Sequence, residues 1–167
     1  MNTAVPPPVA QLLRDAGLFG DLDDVQLAEL ARQATVEDYS AGVTLFREGS
    51  RNDKLCFVIV GAVALEMHIP RRGPTRLLTI GAGQLLAWSA LLGDGTMTAT
   101  GIVQEDLRMI AFPADALRTL CESNHDIGYS VMKHVSNSIS RRLLGTRLQL
   151  LDLFAESDAP LLPTEGA

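Results

Sequence analysis

The sequence has few basic residues and lacks any long apolar run. Its 167 residues include 14 Lys and Arg against 20 Asp and Glu, a formal net charge of -6. Clustered Lys and Arg supply most of the affinity for nucleic acid, so this balance argues against direct binding to DNA or RNA. No window reaches the roughly 18 apolar residues of a membrane span, and the N-terminus does not have the pattern of a signal peptide. We therefore expect a cytoplasmic protein with neither a nucleic-acid nor a membrane partner.

Cysteine and histidine are also scarce, which excludes several kinds of site. Cys56 lies in the apolar run LCFVIV and has no CxxC partner, and we expect both it and Cys121 to be reduced core or near-core residues. An iron–sulfur sensor needs four cysteines, and a metal-dependent cupin needs clustered histidines, whereas His68, His125 and His134 form no HxH pair. His125 or His134 stays open as an axial haem ligand, although single helical histidines are usually surface or capping residues. No nucleophile elbow, Walker loop or dinucleotide fingerprint is present, so neither an enzyme nor a cofactor is expected.

The periodicity predicts helices at both ends of the chain and strands between them. Pro8 and Gly17 bracket a short helix, VAQLLRDAG, and DLDDVQLAELARQAT is typical of a second helix capped by an aspartate. From Tyr39 onward, short apolar runs alternate with glycine, which indicates an all-β sandwich or barrel. The predicted strands are VTLF, LCFVIV, AVALEMHI, TRLLTI, QLLA, ATGIV and LRMIAF. The stretch IPRRGPTR is expected to be an exposed hairpin tip with solvated arginines.

A long helix is predicted from DIGYSVMKHV onward, with Asn124 or Asp126 as its cap. An apolar stripe follows three- and four-residue steps through Val135, Ile139, Thr146, Leu150 and Leu153, flanked by Val131 and Leu143. A helix of about 26 residues spans roughly 40 Å, which exceeds one small β domain. We expect it to form a homodimer by packing on its own copy, the alternative being a helix folded wholly along its own domain.

This order of parts resembles the cyclic-nucleotide-binding domain of the catabolite activator protein and fumarate-nitrate regulator family. The residues that carry the resemblance are YSAGVTLFREGSRNDKLCFVIVGAVAL, GQLLAWSALL and SRRLLGTR. It implies a mainly β fold with flanking helices: a jelly-roll-like double-stranded β-helix, or β-roll, with N-terminal helices and a long C-terminal dimerisation helix. The expected divisions are a lead-in and short helix (1–17), the β-roll (18–125), the long helix (126–154) and a disordered, proline-rich and acidic tail (155–167).

In that family, a cassette of strand, short helix and loop holds the cyclic phosphate through helix N-terminal amides, a glutamate on the ribose and an arginine on the phosphate. The resemblance places the glycine-glutamate pair on Ala87 and Trp88 and the arginine on Met97, or on Thr98 if the loop shifts by one residue. Both charged ligands are therefore missing. The degenerate pocket is expected to comprise Leu86, Ala87, Trp88, Ser89, Ala90, Leu91, Met97, Thr98, Ala99, Thr100 and, on the long helix, Thr146. Neutral donors would come from the amides near Ser89 to Leu91 and from the two loop hydroxyls.

Two interpretations of Trp88 stay open at this point: a lid or stacking platform for a ligand, or a side chain that fills the space of the lost nucleotide. Two sets of arginines could substitute for the missing one: Arg71, Arg72 and Arg76 on the hairpin, and Arg141, Arg142 and Arg147 on the long helix. The plainer interpretation of both sets is that they form solvated faces. The family's transcription factors continue into a DNA-binding domain that this sequence does not show. We therefore expect a stand-alone regulatory sensor module that does not bind cyclic AMP in the usual way, its partners being a second copy, a small-molecule ligand of unknown identity and a regulatory protein. The alternative is a ligand-free dimeric scaffold.

Overall fold

The structure is a computed structural model that describes residues 8–157. Its helices are α1 (Val9–Asp15), α2 (Asp24–Ala31), α3 (Ser89–Leu92), α4 (Ala114–Ser123) and α5 (His125–Ser157). Its strands are β1 (Thr35–Tyr39), β2 (Thr44–Phe46), β3 (Lys54–Ile69), β4 (Gly73–Ile80), β5 (Leu85–Leu86) and β6 (Thr100–Pro113). The predicted fold class, mainly β with flanking helices, is confirmed. Most of the predicted tail, from residue 158 onward, and the first two prolines of the triplet lie outside the described residues.

Local capping explains where the two N-terminal helices begin and end. Gly17 follows α1 with φ +68°, and its N–H donates to the Arg14 carbonyl at 2.9 Å. Asp23 caps α2 by accepting from the Gln26 N–H at 2.8 Å, while the Gln26 side chain accepts from the Asp23 N–H at 3.1 Å. The predicted helix boundaries at Gly17 and at the capping aspartate are confirmed.

The strands form one antiparallel sheet in the order β1-β6-β3-β4, with β2 paired to β6 and β5 paired to β3. The prediction of separate strands was wrong in two places. LCFVIV and AVALEMHI are one strand, β3, and ATGIV and LRMIAF are one strand, β6. Gly61 lies within β3 at φ +90°, where the register against β6 shifts, so this glycine bends a long strand and does not end it.

Two elements carried too little sequence signal to be predicted. β1, with the sequence TVEDY, pairs along β6 from Thr35 opposite Ala111 to Tyr39 opposite Leu107, although it lacks a clear apolar alternation. α4 begins directly after Pro113 and buries Ala114, Leu117 and Leu120. At the next junction, the Asn124 side chain accepts from the Ile127 N–H at 3.3 Å, so Asn124 is the cap of α5. α5 continues to Ser157, the last residue that the structure describes, and so passes the predicted end at residue 154.

An aromatic cluster joins the N-terminal segment to the sheet. The Phe19 ring meets the Phe57 and Phe112 rings edge-on, with centroids 5.4 and 6.5 Å apart. The Phe19 N–H donates to Nε2 of His134 at 3.3 Å, which joins the same segment to α5. These contacts lie within the first of two compact units, which ends at Val135; the second begins at Ser136.

The predicted stripe on α5 divides at that boundary. Val131 and Val135 are buried within the first unit. In the second unit, by contrast, the structure leaves apolar side chains exposed, namely Leu143, Leu144, Leu148, Leu150 and Leu151. Val131 and Val135 therefore belong to the core of the first unit. Leu143 and Leu150, farther along the stripe, are not buried within the second unit.

Candidate functional site

The cassette loop, residues 85–100, comprises β5, the short helix α3 and the segment that leads into β6. Its backbone is left-handed at Ala87, with φ +59°. Such a conformation costs a residue with a Cβ about 1–2 kcal/mol and costs glycine nothing comparable. This is the position to which the resemblance assigned the family's glycine, so Ala87 adopts a conformation that favours glycine at that position.

Met97 occupies the interior of the roll. It is 3% exposed and belongs to a cluster of buried side chains that also includes Leu86 and Ala87. We call this set the interior cluster; its other members are Cys56, Val58, Val63, Ile80, Val103, Leu107, Met109 and Ala111. The neighbouring Thr98 is exposed and Ala99 is buried. Of the two positions considered for the family's arginine, the inward one is therefore Met97, and its side chain is packed against apolar neighbours.

The predicted backbone donors of α3 are engaged within the loop. The Ala90 N–H donates to the Ala87 carbonyl and the Leu91 N–H to the Trp88 carbonyl, each at 3.1 Å. The expected anion cradle requires amides that are free to donate to a ligand. These two amides already donate to carbonyls of the same loop, so they are not free. The Thr100 hydroxyl accepts from the Glu48 N–H at 3.0 Å, so it supports the loop between β2 and β3.

Trp88 and Ser89 differ in burial at the start of α3. Trp88 is half-buried, precedes the helix as its N-cap residue, and is not among the members of the interior cluster. Ser89 is 7% exposed, and its carbonyl accepts from the amides of Gly93 and Gly95. Thr146, the remaining predicted residue, belongs to the second unit, where its hydroxyl donates to the Arg142 carbonyl one turn earlier at 2.9 Å.

The arginines that hold the cassette are ones that sequence reasoning did not select. The Arg118 guanidinium on α4 donates to the Ala90 carbonyl at 2.6 Å and to the Leu91 carbonyl at 3.1 Å. A cation at the end of a helix satisfies carbonyls that lack an intrahelical partner. Arg51 donates in the same way to the Asp94 carbonyl at 2.8 Å. No local pattern could have identified these contacts, because Arg118 is 27 residues from Leu91 in the sequence.

The hairpin arginines considered as substitutes for the missing cation lie elsewhere. Arg71 and Arg72 are exposed at the tip between β3 and β4, as predicted, and Arg76 donates to the Gln104 side chain at 2.6 Å. Arg51 and Arg118 instead border an outer groove of about 790 Å³ between the cassette, the loop before β3 and the start of α4. Both guanidinium groups are held by backbone carbonyls on the cassette side of this groove.

A second cavity, of about 210 Å³, adjoins the interior cluster. We call it the roll cavity. Its apolar wall is formed by Leu45, Phe46, Cys56, Leu86 and Met109. Its polar end is formed by Glu37, Tyr39, Asn52, Asp53 and Lys54. Only one of these residues, Leu86, belongs to the predicted pocket.

A hydrogen-bonded network organises the polar end of the roll cavity. Lys54 Nζ lies 2.6 Å from Glu37 Oε1, and the Tyr39 hydroxyl donates to Glu37 Oε2 at 2.8 Å. Burial of Glu37 acts to raise the pKa of its carboxyl, but the hydrogen bonds from Lys54 and Tyr39 outweigh it, so the pKa lies below its ordinary value. The same hydrogen bonds raise the pKa of Tyr39 and of Lys54. The network therefore keeps Glu37 and Lys54 charged near neutral pH.

The cysteines and histidines show no reactive or metal-binding arrangement among residues 8–157. Cys56 and Cys121 are free, and burial raises the pKa of the Cys56 thiol to about 12, which keeps it protonated. Both ring nitrogens of His134 are occupied, Nε2 by the Phe19 N–H and Nδ1 by the Ser130 carbonyl at 3.1 Å. The part of the chain that the structure describes contains no group of three His, Cys, Asp or Glu side chains that could hold a metal ion. Among the same residues, none of the helices combines the length and the apolar composition that a membrane span requires.

Comparison with known proteins agrees with this geometry. Residues 36–124 match the family described as the cyclic nucleotide-binding domain. The chain belongs to this family. The match covers the strands and the cassette and ends at Asn124, before α5. The resemblance to the catabolite activator proteins is confirmed.

Relatives of this cyclic nucleotide-binding domain include regulators of transcription. The chain is 28% identical over 144 residues to a CRP-like cAMP-activated global transcriptional regulator of Mycobacterium tuberculosis; the match covers 86% of the chain and 62% of the relative's length. It is 26% identical to the N-terminal domain of a transcriptional regulator from Streptomyces coelicolor A3(2), with a TM-score of 0.63 over 93% of this chain and 99% of that one. A cyclic nucleotide-binding domain from Methylobacillus flagellatus shares the fold, with a TM-score of 0.75 at 20% identity, over 93% of this chain and 85% of that one.

Proposed function

We propose that this chain is a regulatory module on the cyclic nucleotide-binding fold that does not take up cyclic AMP in the family's usual way. The observation that carries the proposal is Met97, 3% exposed and packed in the interior cluster at the position where the resemblance places a phosphate-binding arginine. Trp88 stands where the ribose-binding glutamate is expected. No catalytic step belongs to this function.

The expected loss of affinity follows from the two missing side chains. A hydrogen bond to a charged group contributes about 1.5–3 kcal/mol, so replacing both the arginine and the glutamate by apolar side chains removes about 3–6 kcal/mol. That corresponds to a factor of about 10²–10⁴ in Kd. The engagement of the Ala90 and Leu91 amides within α3 points in the same direction, because they are not free to compensate.

Isothermal titration calorimetry of the full chain with cyclic AMP tests the proposal. We expect no saturable binding below about 0.1 mM, since a Kd of about 1 µM weakened by a factor of about 10²–10⁴ becomes about 0.1–10 mM. Thermal melting provides a second measurement: a ligand present at 100 times its Kd adds about 2.7 kcal/mol of stability, which is easily detected. A micromolar Kd for cyclic AMP would overturn the proposal.

Two forms of this function are each favoured by an observation. The roll cavity favours a sensor of a ligand less anionic than a nucleotide, because it retains unfilled space beside Leu86 with a polar end. The packing of Met97 favours a ligand-free scaffold that acts through protein contacts. Native mass spectrometry separates them, because a sensor purified without denaturation carries or takes up a small molecule, whereas a scaffold gives the mass of the bare chain.

The partner that we propose for either form is a second copy of this chain. Within the second unit, Leu144, Leu148 and Leu151 recur at four- and three-residue steps and are all exposed. Such spacing is typical of the apolar seam of a helix pair. We expect a dimer at micromolar concentration in analytical ultracentrifugation.

A matched pair of charge substitutions tests the dimer. Leu148→Glu places a charge within the exposed leucine stripe and should give monomers. Gln149→Glu adds the same charge at the next exposed position and should leave the dimer intact. A dimer that persists in Leu148→Glu would exclude this stripe as the interface, and a monomeric wild type would exclude the dimer itself.

A further inference from the structure

The roll cavity combines an apolar wall with a charged end, a combination that the loss of the nucleotide anchors does not explain. Phe46, Leu86 and Met109 line its inner wall. Glu37 and Lys54, whose side chains are 18% and 41% exposed, lie at its polar end. Five of its ten lining residues are apolar and five are polar or charged, so the polar groups converge beside an apolar wall, as the orienting groups of ligand pockets do.

The size of the cavity limits what can enter it. Its volume of about 210 Å³ equals that of roughly seven water molecules at about 30 Å³ each. A ligand that fills it therefore has roughly seven non-hydrogen atoms, far fewer than a cyclic nucleotide. The apolar wall favours a hydrocarbon tail against Phe46 and Leu86, because each buried methylene is stabilised by about 0.8 kcal/mol.

The charges at the polar end select the head group. Glu37 and Asp53 are both acidic, and Lys54 is the one basic residue among those from 8 to 157 that line the cavity. Lys54 is already paired with Glu37, whereas the exposed Asp53 carboxylate makes no hydrogen bond or ion pair with any other residue from 8 to 157. The net charge of one negative, with a carboxylate available at the rim, favours a positively charged donor group over an anion.

We propose that the roll cavity is a binding site for a small aliphatic amine, its ammonium group at the Asp53 and Glu37 rim and its tail against Phe46, Leu86 and Met109. The inference rests on the proposed function, because it names the ligand class of the sensor. It does not involve the amides of α3 or the missing arginine.

Three probes of equal length test the head-group preference, namely hexylamine, hexanoate and 1-hexanol. Binding is measured on the full chain at pH 7 through the NMR shifts of the Met109 and Leu86 methyl groups. We expect hexylamine to bind with a Kd of about 0.1–1 mM, since small ligands rarely exceed about 1.5 kcal/mol per non-hydrogen atom and usually fall well below it. Hexanol should bind more weakly, and hexanoate should not bind.

Variants locate the head and the tail. Asp53→Asn should weaken hexylamine about three- to five-fold, the upper part of the range measured for exposed charge pairs, and leave hexanol unchanged. Glu105→Gln, which removes an exposed acid that does not line the cavity, should change neither. Leu45→Trp should abolish binding of both by filling the cavity, provided that its melting curve shows a folded protein. If it does not fold, the Asp53→Asn and Glu105→Gln pair still decides the head-group position.

The outcomes distinguish this inference from the proposed function. Equal affinity for all three probes would overturn the amine preference, and no methyl shift with any probe at 10 mM would overturn the site. Neither result would change the expectation for cyclic AMP. Micromolar binding of cyclic AMP would overturn the proposed function, and a hexylamine site at Asp53 would still be detected independently.

Discussion

Replacing Met97 with alanine measures whether this side chain is core or the border of a vacant pocket. Met97 is 3% exposed, so almost the whole side chain is removed from water in the folded state. Truncation of a buried Leu, Ile or Met to Ala costs about 2–5 kcal/mol, since transfer free energy is lost and a cavity is left. With neighbours as buried as Leu86 and Val103, we expect a loss of about 3 kcal/mol.

Thermal and urea denaturation at fixed protein concentration provide the assay. For a chain of this length, 1 kcal/mol shifts Tm by about 2–4 °C, so Met97→Ala should lower Tm by about 6–12 °C. The control is Thr98→Ala, an exposed neighbour whose replacement should stay within about 0.5 kcal/mol. If the two variants melt together, Met97 does not contribute to the core, and apolar packing has not replaced the phosphate site.

Three further predictions concern the strands, the cassette and the polar end of the roll cavity. Gly61→Ala should destabilise the protein by several kcal/mol more than Gly42→Ala. Both glycines have positive φ, but a Cβ at Gly61 would lie 2.3 Å from the Asp106 carbonyl oxygen, whereas a Cβ at Gly42 would meet nothing within 4 Å. Equal losses of Tm would contradict this prediction. Arg118→Met should cost about 1–2 kcal/mol in urea denaturation through the lost bonds to the cassette carbonyls, and a loss below 0.5 kcal/mol would show that they are not stabilising. Because the pKa of Glu37 is lowered on folding, its stabilisation is complete above the ordinary value of 4.5 and lost as pH falls through the lower folded value. The stability gap between wild type and Glu37→Gln should therefore close as pH falls below 4.5, and a gap that widens there would reverse the sign.

Several parts of the fold could be predicted because their causes are local. The cap of α2 at Asp23 and the glycine after α1 depend on residues within one helical turn, so the sequence pattern contains the whole interaction. The exposed hairpin at Arg71 and Arg72 follows in the same way from the turn residues around it. The family pattern likewise places Trp88 and Met97 at the positions of the two charged anchors, which stays a prediction from the resemblance.

The strand boundaries were harder to predict because glycine has two roles in a sheet. Gly61 looked like a separator between two runs, yet its backbone lies against the Asp106 carbonyl inside one bent pair of strands. Only the pairing partner, more than 40 residues away, shows that the chain continues. β1 was missed for a related reason. It is a strand because it pairs with β6, and its own sequence shows no apolar alternation that would predict one.

The sequence by itself determined the family resemblance, the succession of N-terminal helices, glycine-punctuated strands and a long C-terminal helix, and the absence of Arg and Glu from residues 85–100, because these depend on residue identity and short-range spacing. The tertiary structure alone decided which way Met97 faces, which arginine holds the cassette, and that Glu37 and Lys54 meet at the end of a cavity. Each of these depends on contacts between segments 17 to 50 or more residues apart, whose geometry is set by the register and bending of β3 against β6.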